Sequence, residues 1–194
     1  MGKYLITGGA GFIGGALANR LAGAGHRVSI LDLPHKIGRA RLNPSITTIS
    51  GDITSPTTFR DLNEHYDAVM HLAAQTSARV SHEEPELDLQ VNARGTLRVA
   101  EWCCSRNISR VLFASSMGVY GNPDKLPVTE LDPPRPASNY GVNKLAGERY
   151  LTERIPMGLH PTNLRMFNVY GPGQDMANMK QGMVSIYMSY LMNG

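Results

Sequence analysis

Cysteine is scarce in this sequence, and the position of the few cysteines excludes two kinds of structure. Cys103 and Cys104 are the only two in 194 residues, and they are adjacent. Such a pair can form neither a disulfide framework nor the spaced ligand pairs of a zinc site. The six histidines also lack metal-ligand spacing. The sequence therefore predicts no structural disulfide and no bound metal ion.

Long apolar runs and blocks of one charge are also missing. No run is long enough to span a membrane, and no secretory signal precedes the strand pattern that begins at Lys3. The net charge of +3 comes from scattered residues without an aromatic stripe, which argues against a nucleic-acid surface. The hydrophobic fraction of 42% is ample for a core. We expect a cytoplasmic globular protein that binds neither membrane nor nucleic acid.

A glycine-rich stretch at residues 7–14 is the first feature that points to a ligand. It follows a short apolar run typical of a buried strand and precedes apolar residues at helical spacing. Gly8 permits a sharp turn, Gly11 lets the backbone approach a pyrophosphate, and Gly14 lets the helix pack close to the strand. The helix N–H groups would then face the anion. The spacing is one residue longer than the usual dinucleotide fingerprint, so a packing turn is the alternative.

An acidic residue, Asp32, ends the second strand pattern. It follows the glycine turn by about 20 residues, where a carboxylate can bind both ribose hydroxyls of an adenosine. A 2′-phosphate would meet a like charge there, so Asp32 favours NAD over NADP. Lys36, Arg39 and Arg41 lie nearby and keep NADP open, and a loop-capping acid is the structural alternative.

The rest of the chain alternates strand and helix patterns. Further strands are predicted at 46–49, 68–72, 110–114 and 162–166, and further helices at 56–65, 85–105, 139–154 and 183–192. This alternation predicts an α/β fold with a doubly wound parallel sheet, Rossmann-like, whose ligands bind at the carboxyl ends of the strands. At these ends, Asp52 fits either an adenine contact or a helix cap. His71 fits a packed, hydrogen-bonded histidine.

Tyr140 and Lys144 lie one turn apart on the predicted 139–154 helix, which Asn139 is expected to cap. An ammonium group stabilises a phenolate and lowers a pKa that is about 10 in free tyrosine. Tyr140 would then be a base near neutral pH, and the Ser116 hydroxyl could bind the same substrate oxygen. A Tyr-x-x-x-Lys pair alone is common on helices. Its occurrence with the glycine turn, Asp32 and the serine makes chance a poor explanation.

Six stretches, in this order, resemble the extended short-chain dehydrogenase/reductase family, in the NAD-dependent epimerase/dehydratase group typified by UDP-glucose 4-epimerases. They are Thr-Gly-Gly-Ala-Gly-Phe-Ile-Gly at 7–14, His-Leu-Ala-Ala at 71–74, Asn-x-x-Gly-Thr at 92–96, Ser-Ser-x-x-Val-Tyr-Gly at 115–121, Tyr-x-x-x-Lys at 140–144 and Arg-x-Phe-Asn-Val-Tyr-Gly-Pro at 165–172. Together they span nearly the whole chain and are more specific for the family than for the reaction.

The resemblance implies roles for residues in and beside these stretches. The catalytic residues would be Ser116, Tyr140 and Lys144. Gly8, Gly11 and Gly14 would bind the pyrophosphate of NAD, and Asp32 would bind its adenosine ribose. Asp52 and Ile53 would contact the adenine. Lys144 and Phe167 would lie at the nicotinamide end. The remaining implied cofactor contacts are Phe12, Ile13, Leu33, Leu72, Ala73, Ala74, Asn92 and Tyr140. The substrate would be bound by Thr76, Ser116 and Asn168, the last at its diphosphate.

The implied reaction is the 4-epimerisation of a nucleotide sugar, with a UDP-sugar expected. Tyr140 would take the proton of the sugar 4-hydroxyl while hydride passes from C4 to tightly bound NAD, and the 4-keto sugar would rotate before hydride returns. Dehydratases and decarboxylases of the family carry acids where this chain has Met117 and Gly118, so epimerisation is preferred. The alternatives are an NAD(P)-dependent reductase or dehydrogenase of the same family and a non-catalytic dinucleotide-sensing regulator.

The resemblance also predicts domains and assembly. Residues 1–175 would form the NAD-binding domain, and 176–194 would begin the family's smaller substrate domain, most of which is missing from this chain. Without that domain the chain could be inert. Homodimerisation through the helices at 85–105 and 139–154 is expected.

Overall fold

The computed structural model describes residues 1–176 and 182–193, and a single parallel sheet organises it. Its strands are β1 (Lys3–Thr7), β2 (Arg27–Asp32), β3 (Thr47–Ser50), β4 (Ala68–His71), β5 (Arg110–Ser116) and β6 (His160–Met166). They are parallel and lie in the order β3-β2-β1-β4-β5-β6. The predicted Rossmann-like fold is confirmed.

Helices cover both faces of this sheet. They are α1 (Phe12–Gly23), α2 (Pro34–Ile37), α3 (Ala78–Glu83), α4 (Pro85–Asp88), α5 (Thr96–Ser105), α6 (Asn139–Thr152) and α7 (Met183–Asn193). Short 3₁₀ turns occupy Met117–Val119 and Ile155–Met157. None of the helices in the described part of the chain is both long and apolar enough to cross a membrane.

Strand β1 lies at the centre and shows how the two cores form. Successive side chains of a strand point to opposite faces, so Leu5 packs in one core and Ile6 in the other. The Leu5 core includes residues of α5 and α6, whereas the Ile6 core includes Ala18 of α1. Helices on both faces explain why the inner strands are apolar on both sides.

The carboxyl ends of the strands meet at one edge, where the order of strands reverses. Thr7 pairs with Leu31 of β2 on one side and with His71 of β4 on the other. Because β1 continues to β2 in one direction and β4 lies in the other, a crevice opens between β1 and β4 beyond their carboxyl ends. The crevice is therefore where a ligand is expected.

One helix prediction is wrong. Residues 56–65 form turns rather than a helix. The Thr58 hydroxyl donates to the Asp52 carbonyl at 2.6 Å and accepts from the Asp52 N–H at 3.1 Å, which folds the segment back on the preceding turn. Phe59 and Leu62 are buried all the same. Their apolar spacing therefore reflects the core and not a helix.

The predicted helix at 85–105 is present but irregular. Between α4 and α5, Leu89–Gly95 is π-helical. Leu87 is exposed, whereas Asp88 and Asn92 are buried. The short helices α2 and α3 were not predicted.

The remaining predicted elements are found with small shifts at their ends. Strand β5 extends through Ser116, β6 begins two residues early, and α6 ends at Thr152. The cap of α6 is Ser138 and not Asn139, because the Ser138 hydroxyl accepts from the Gly141 N–H at 3.1 Å. Residues 177–181 and 194, part of the predicted start of a second domain, lie outside the described residues.

Candidate functional site

The glycine turn after β1 is packed too tightly for side chains. Gly8 has a φ of +72°, and a Cβ there would lie 2.6 Å from the Ala73 nitrogen. A Cβ at Gly14 would overlap the Gly8 carbonyl oxygen. No side chain of the described residues caps α1 after Gly11, so the first N–H groups of that helix are open to an outside acceptor. The turn is therefore built as an anion cradle beside the crevice.

Asp32 is held at the edge of this cradle. Its Oδ2 accepts from the Ala10 N–H at 2.9 Å and its Oδ1 from the Leu33 N–H at 2.8 Å. These bonds tie the glycine turn to the end of β2. Each carboxylate oxygen keeps capacity for a further donor, so the side chain is already oriented for a pair of hydroxyl groups.

His71 lies at the end of β4 and is a structural residue, as predicted. Its Nδ1 is 2.7 Å from the Thr7 hydroxyl and its Nε2 is 3.0 Å from the Thr96 hydroxyl. Thr96 donates to the Asn92 carbonyl, so it accepts from Nε2. Burial, with the charge of Lys144, lowers the pKa of His71 to about 3. The imidazole is neutral at physiological pH.

Ser116 ends β5 with its hydroxyl half-buried at the sheet edge. Its Oγ accepts from the Gly118 N–H at 3.1 Å, which fixes the side chain and leaves its proton for another acceptor. Ser116 pairs with Met166 of β6, so Phe167 and Asn168 follow at the same edge, and both are exposed.

Lys144 is fully inside the protein, under the end of β5. Its Nζ donates to the Ala114 carbonyl at 2.8 Å and lies 5.8 Å from the centre of the Tyr140 ring. The side chain is only 2% exposed. Burial lowers the pKa of Lys144 to about 8, although the negative charge of Asp88 acts in the opposite direction.

Tyr140 differs from its prediction in one respect. The structure brings its hydroxyl to Ser116, as expected, but burial raises its pKa, and a hydrogen bond with Ser116 only partly offsets this. The nearby carboxylate of Asp88 raises it further. The lowered pKa expected from the Tyr140 and Lys144 pair is therefore not found in this structure, and the role of Tyr140 as a base stays a prediction.

A group of polar residues surrounds the buried Asp88 carboxylate, and only Asn92 among them was predicted, as a cofactor contact. The Asp88 carboxylate is 0% exposed and accepts from Gln75 Nε2 at 2.5 Å, Asn92 Nδ2 at 2.8 Å and Asn143 Nδ2 at 2.7 Å. We call these four residues the Asp88 cluster. Asp88 and Asn92 are four apart in a helical pattern, so their shared face was visible in the sequence.

A second missed group lies on the other side of α6. Glu148 is buried, receives a hydrogen bond from the Ser115 hydroxyl and binds Arg165 through two N–H groups, Nε at 3.0 Å and Nη2 at 2.8 Å. We call these three residues the Glu148 cluster. Glu148 lies four residues beyond Lys144, which is the signal that could have identified it.

Some predicted site residues have other partners. Asp52 is exposed and accepts from the Thr54 N–H at 2.8 Å within a turn, so it is not a helix cap, because residues 56–65 form no helix. The Ile53 side chain packs in the core against Gly95. Both donors of the Asn92 amide are used, by Gln75 and Asp88. Their contacts with a cofactor remain predictions.

The other predicted residues lie along the crevice edge or outside it. Phe12, Ile13 and Leu33 are half-buried beside the glycine turn, and Leu72, Ala73 and Ala74 follow β4. Thr76 is exposed in the same loop. The structure thus assembles two groups, one at Gly8, Asp32 and Ala73 and one at Ser116, Tyr140 and Lys144.

A cavity of about 820 Å³ lies elsewhere, between β6 and the loop before α6. Its lining includes Tyr120, Glu130, Glu148 and Phe167. Phe167 belongs to the predicted site, but the glycine turn, Asp32 and Tyr140 do not line this cavity. We assign the candidate site to the crevice because donors and oriented polar side chains converge there. Among the described residues, no group of three His, Cys, Asp or Glu could hold a metal ion.

Comparison with known proteins gives one consistent group. Residues 4–193 match the model of the NAD-dependent epimerase/dehydratase family. A putative UDP-glucose 4-epimerase of Methanocaldococcus jannaschii is 36% identical over 192 residues, which cover 97% of this chain and 62% of that protein.

Solved structures agree with this match. The UDP-N-acetylglucosamine 4-epimerase of Methanobrevibacter ruminantium M1, in complex with UDP-N-acetylmuramic acid, superposes with a TM-score of 0.89 at 31% identity, covering 100% of this chain and 63% of that one. The UDP-glucose 4-epimerase of Thermus thermophilus, in complex with NAD, gives 0.84 at 33% identity, covering 96% and 60%. The chain thus spans less than two thirds of the length of these proteins.

Proposed function

Because this chain belongs to the NAD-dependent epimerase/dehydratase family, we propose that it binds NAD and interconverts the C4 epimers of a UDP-sugar. The observation that carries the proposal is the convergence of Ser116, Tyr140 and Lys144 at the sheet edge that also holds the glycine turn. Relatives named as UDP-sugar 4-epimerases support the choice of substrate.

The cradle fits the dinucleotide. The glycine turn offers the N–H groups at the start of α1 to a pyrophosphate, and a side chain at Gly8 or Gly14 would collide with backbone. Asp32 would accept from the two hydroxyls of the adenosine ribose. A 2′-phosphate would be repelled by the same carboxylate, so NAD is preferred to NADP.

The reacting residues each have a defined task. When bound, NAD would supply a positive charge near Tyr140 and a reversible hydride acceptor for sugar C4, the chemistry needed to pass through a 4-keto sugar. Ser116 would donate to the sugar O4, since its Oγ already accepts from the Gly118 N–H. Tyr140 would take the 4-hydroxyl proton at its Oη and return it.

Lys144 would support this proton transfer from inside the protein. Its Nζ is fixed by the Ala114 carbonyl at 2.8 Å, so the cation cannot swing away from Tyr140. Because burial raises the pKa of Tyr140, the phenolate needs this cation together with the charge of the ligand.

The segment after Ser116 supports epimerisation over elimination. Met117 and Gly118 occupy the 3₁₀ turn there, and neither carries an acid or a base. Elimination of water and decarboxylation both need a second proton-transferring group near the substrate. Rotation of a keto sugar needs none.

The test is the substitution Tyr140→Phe in the complete protein. We expect turnover of UDP-glucose to UDP-galactose, followed at sugar C4 by NMR, to fall by about 10²-fold to 10⁴-fold, because the proton acceptor is lost. The matched control is Tyr150→Phe, on the same helix, which leaves the site untouched. Turnover by Tyr140→Phe at the rate of the control would contradict the proposal.

The same assay separates the rival activities. An epimerase turns over without added NADH, whereas a reductase consumes one reduced cofactor for each product molecule. A regulator would bind NAD and leave the sugar unchanged. Either of these results for the unmodified protein would replace the proposed reaction.

We carry the predicted homodimer forward with this function. Leu89 in the π-helical segment and Val142 on α6 are 53% and 50% exposed, which leaves apolar side chains for a partner copy on the two helices concerned. A monomer by sedimentation at micromolar concentration would contradict the dimer. The cytoplasmic location stays a prediction.

A further inference from the structure

Three side chains with a formal charge are buried in the described part of the chain, and only one of them has an ionic partner. They are Asp88, Lys144 and Glu148. Glu148 pairs with Arg165. Among the ion pairs of the described residues, neither Asp88 nor Lys144 appears. A buried charge without compensation is costly, so these two opposite charges need an explanation.

All contacts of Asp88 are with neutral groups. Its three donors are the side-chain amides of Gln75, Asn92 and Asn143. Amide donors orient a carboxylate and stabilise its ionised form, but they leave its net charge in place. The Asp88 cluster therefore projects a negative charge into its surroundings.

All contacts of Lys144 are neutral as well. The Nζ group donates to the Ala114 carbonyl and lies over the Phe113 and Tyr140 rings, at 5.0 and 5.8 Å from their centres. Asn143 precedes Lys144 on α6 and binds Asp88 at 2.7 Å. This bond anchors the anion to the helical turn that carries the cation.

We propose that Asp88 is a positioning residue of the active site, whose buried carboxylate is the counter-charge that keeps Lys144 protonated. Its effect on turnover rests on the proposed epimerase function, whereas its effect on the charge of Lys144 does not. Asp88 acts through Lys144 and does not touch the reacting atoms.

The electrostatics of the neighbouring groups agree with this role. The other titratable groups around Lys144 are Tyr140 on its own helix, His71 on β4 and, one turn further along α6, Glu148. His71 is neutral because its pKa is about 3, and Glu148 is neutralised by Arg165. The pKa of Lys144 is about 8, so the loss of a nearby negative charge would lower the protonated fraction of Lys144 near physiological pH.

The substitution Asp88→Asn isolates the charge. The remaining oxygen can still accept from Gln75 and Asn92, and the Asn143 amide can flip to accept from the new NH₂ group. Size and hydrogen bonds are thus kept. The protonation of Lys144 is measured by NMR titration of ¹³C-labelled lysine, in which the chain has only Lys3, Lys36, Lys125, Lys144 and Lys180 to resolve.

We expect the pKa of Lys144 to fall by about one unit or more in Asp88→Asn, a tenfold change in its proton affinity. The control Glu86→Gln removes an exposed acid two residues away and leaves the pKa of Lys144 unchanged. An unchanged Lys144 in Asp88→Asn would overturn the proposal.

A second variant keeps the test valid if the first folds poorly. In Asp88→Asn combined with Asn143→Asp, the carboxylate moves across the same hydrogen bond and the charge is restored. We expect the pKa of Lys144 to return toward its original value. If the pKa of Lys144 in the double variant were as low as in the single variant, Asp88 would act through packing and not through its charge. That result would also overturn the proposal.

Turnover provides the last readout. If protonated Lys144 is needed, the alkaline limb of the kcat profile of Asp88→Asn moves to lower pH by the same amount as the pKa of Lys144. If the pKa of Lys144 shifts but the alkaline limb of the kcat profile does not, the role of Asp88 in the reaction would be overturned. Its role as the counter-charge of Lys144 would still hold. Absence of epimerase activity in the unmodified protein would overturn the proposed function alone, since the lysine titration does not depend on it.

Discussion

The two sides of α6 bury a carboxylate in different ways. Toward β6, the Glu148 cluster neutralises its acid with an arginine that makes two hydrogen bonds. Toward α4, the Asp88 cluster surrounds its acid with neutral amides only. Both carboxylates are shielded from solvent, since 5% of Glu148 and 0% of Asp88 is exposed. Burial alone thus does not decide what a charged group does.

The two clusters differ in whether the negative charge of the acid is neutralised. In the Glu148 cluster Arg165 neutralises it, and the hydrogen bonds link α6 to the strands that carry Ser115 and Arg165. In the Asp88 cluster it remains available to Lys144. A desolvated ion pair contributes little net stability, whereas losing one partner is costly. The first cluster should therefore respond mainly in stability and the second mainly in the properties of the site.

The largest effect is expected from removing the arginine of the Glu148 cluster. Arg165→Leu leaves a buried carboxylate unpaired, and we expect a loss of about 3 to 5 kcal/mol in the free energy of unfolding, measured by urea denaturation. The control Arg135→Leu breaks an exposed pair with Asp124 and should cost less than about 1 kcal/mol. If Arg165→Leu cost no more than this control, the cluster would not be a structural link.

A smaller effect is expected on the other side, where two substitutions of one residue can be compared. Asp88→Leu leaves three buried amide donors without an acceptor, and we expect a loss of about 2 to 3 kcal/mol. Asp88→Asn keeps the acceptors and should lose less than about 1 kcal/mol in the same urea titration. Equal losses for both variants would mean that the charge itself holds the Asp88 cluster together, and the contrast between the two sides would fail.

The last effect is the smallest for each unit of pH, because it is spread over several units, and it concerns His71, a third buried titratable group, which is neutral. Its pKa is about 3 in the folded protein, against the ordinary value of 6.5 expected in the unfolded chain. Between these two pKa values the unfolded chain binds more protons than the folded protein. The stability that neutral His71 contributes is therefore complete above pH 6.5 and is lost as the pH falls toward 3. The expected slope is up to about 1.4 kcal/mol per pH unit.

The measurement is the unfolding free energy of the protein and of His71→Gln between about pH 7 and pH 4, the range over which the unfolded histidine titrates. In His71→Gln we expect the slope of the unfolding free energy against pH to fall by about the contribution of one titrating group. The control His65→Gln, which changes an exposed histidine, keeps the full slope. An identical slope in His71→Gln would mean that His71 is protonated in the folded protein. His71 would then be a second positive charge near Lys144.

The sequence was informative wherever the chemistry depends on neighbouring residues. The glycine turn, Asp32 at the end of β2 and the Tyr140 and Lys144 pair all follow from local spacing, and the structure places each on the expected element. The alternation of strands and helices was sufficient for the sheet. These features need no knowledge of which distant residues meet.

The features that were missed depend on distant contacts. Asp88 binds Asn143, 55 residues away, and the charge relation between Asp88 and Lys144 exists only after folding. The false helix at 56–65 has a local cause instead. Thr58 returns to Asp52 through its side chain, which a periodicity of apolar residues does not reveal. The raised pKa of Tyr140 depends on burial, which no spacing reports.

The π-helical turns at Leu89–Gly95 also matter for how relatives are aligned. A π-helical turn contains more residues than an α-helical one, so the residues before and after it do not share faces in the usual register. A relative with a regular helix here would carry one residue fewer. If such a relative is aligned without a gap on the residues after Gly95, the residue aligned with Asp88 has a side chain on another face of the helix. An acid of a relative is therefore equivalent to Asp88 only when it precedes the residue aligned with Asn92 by four positions.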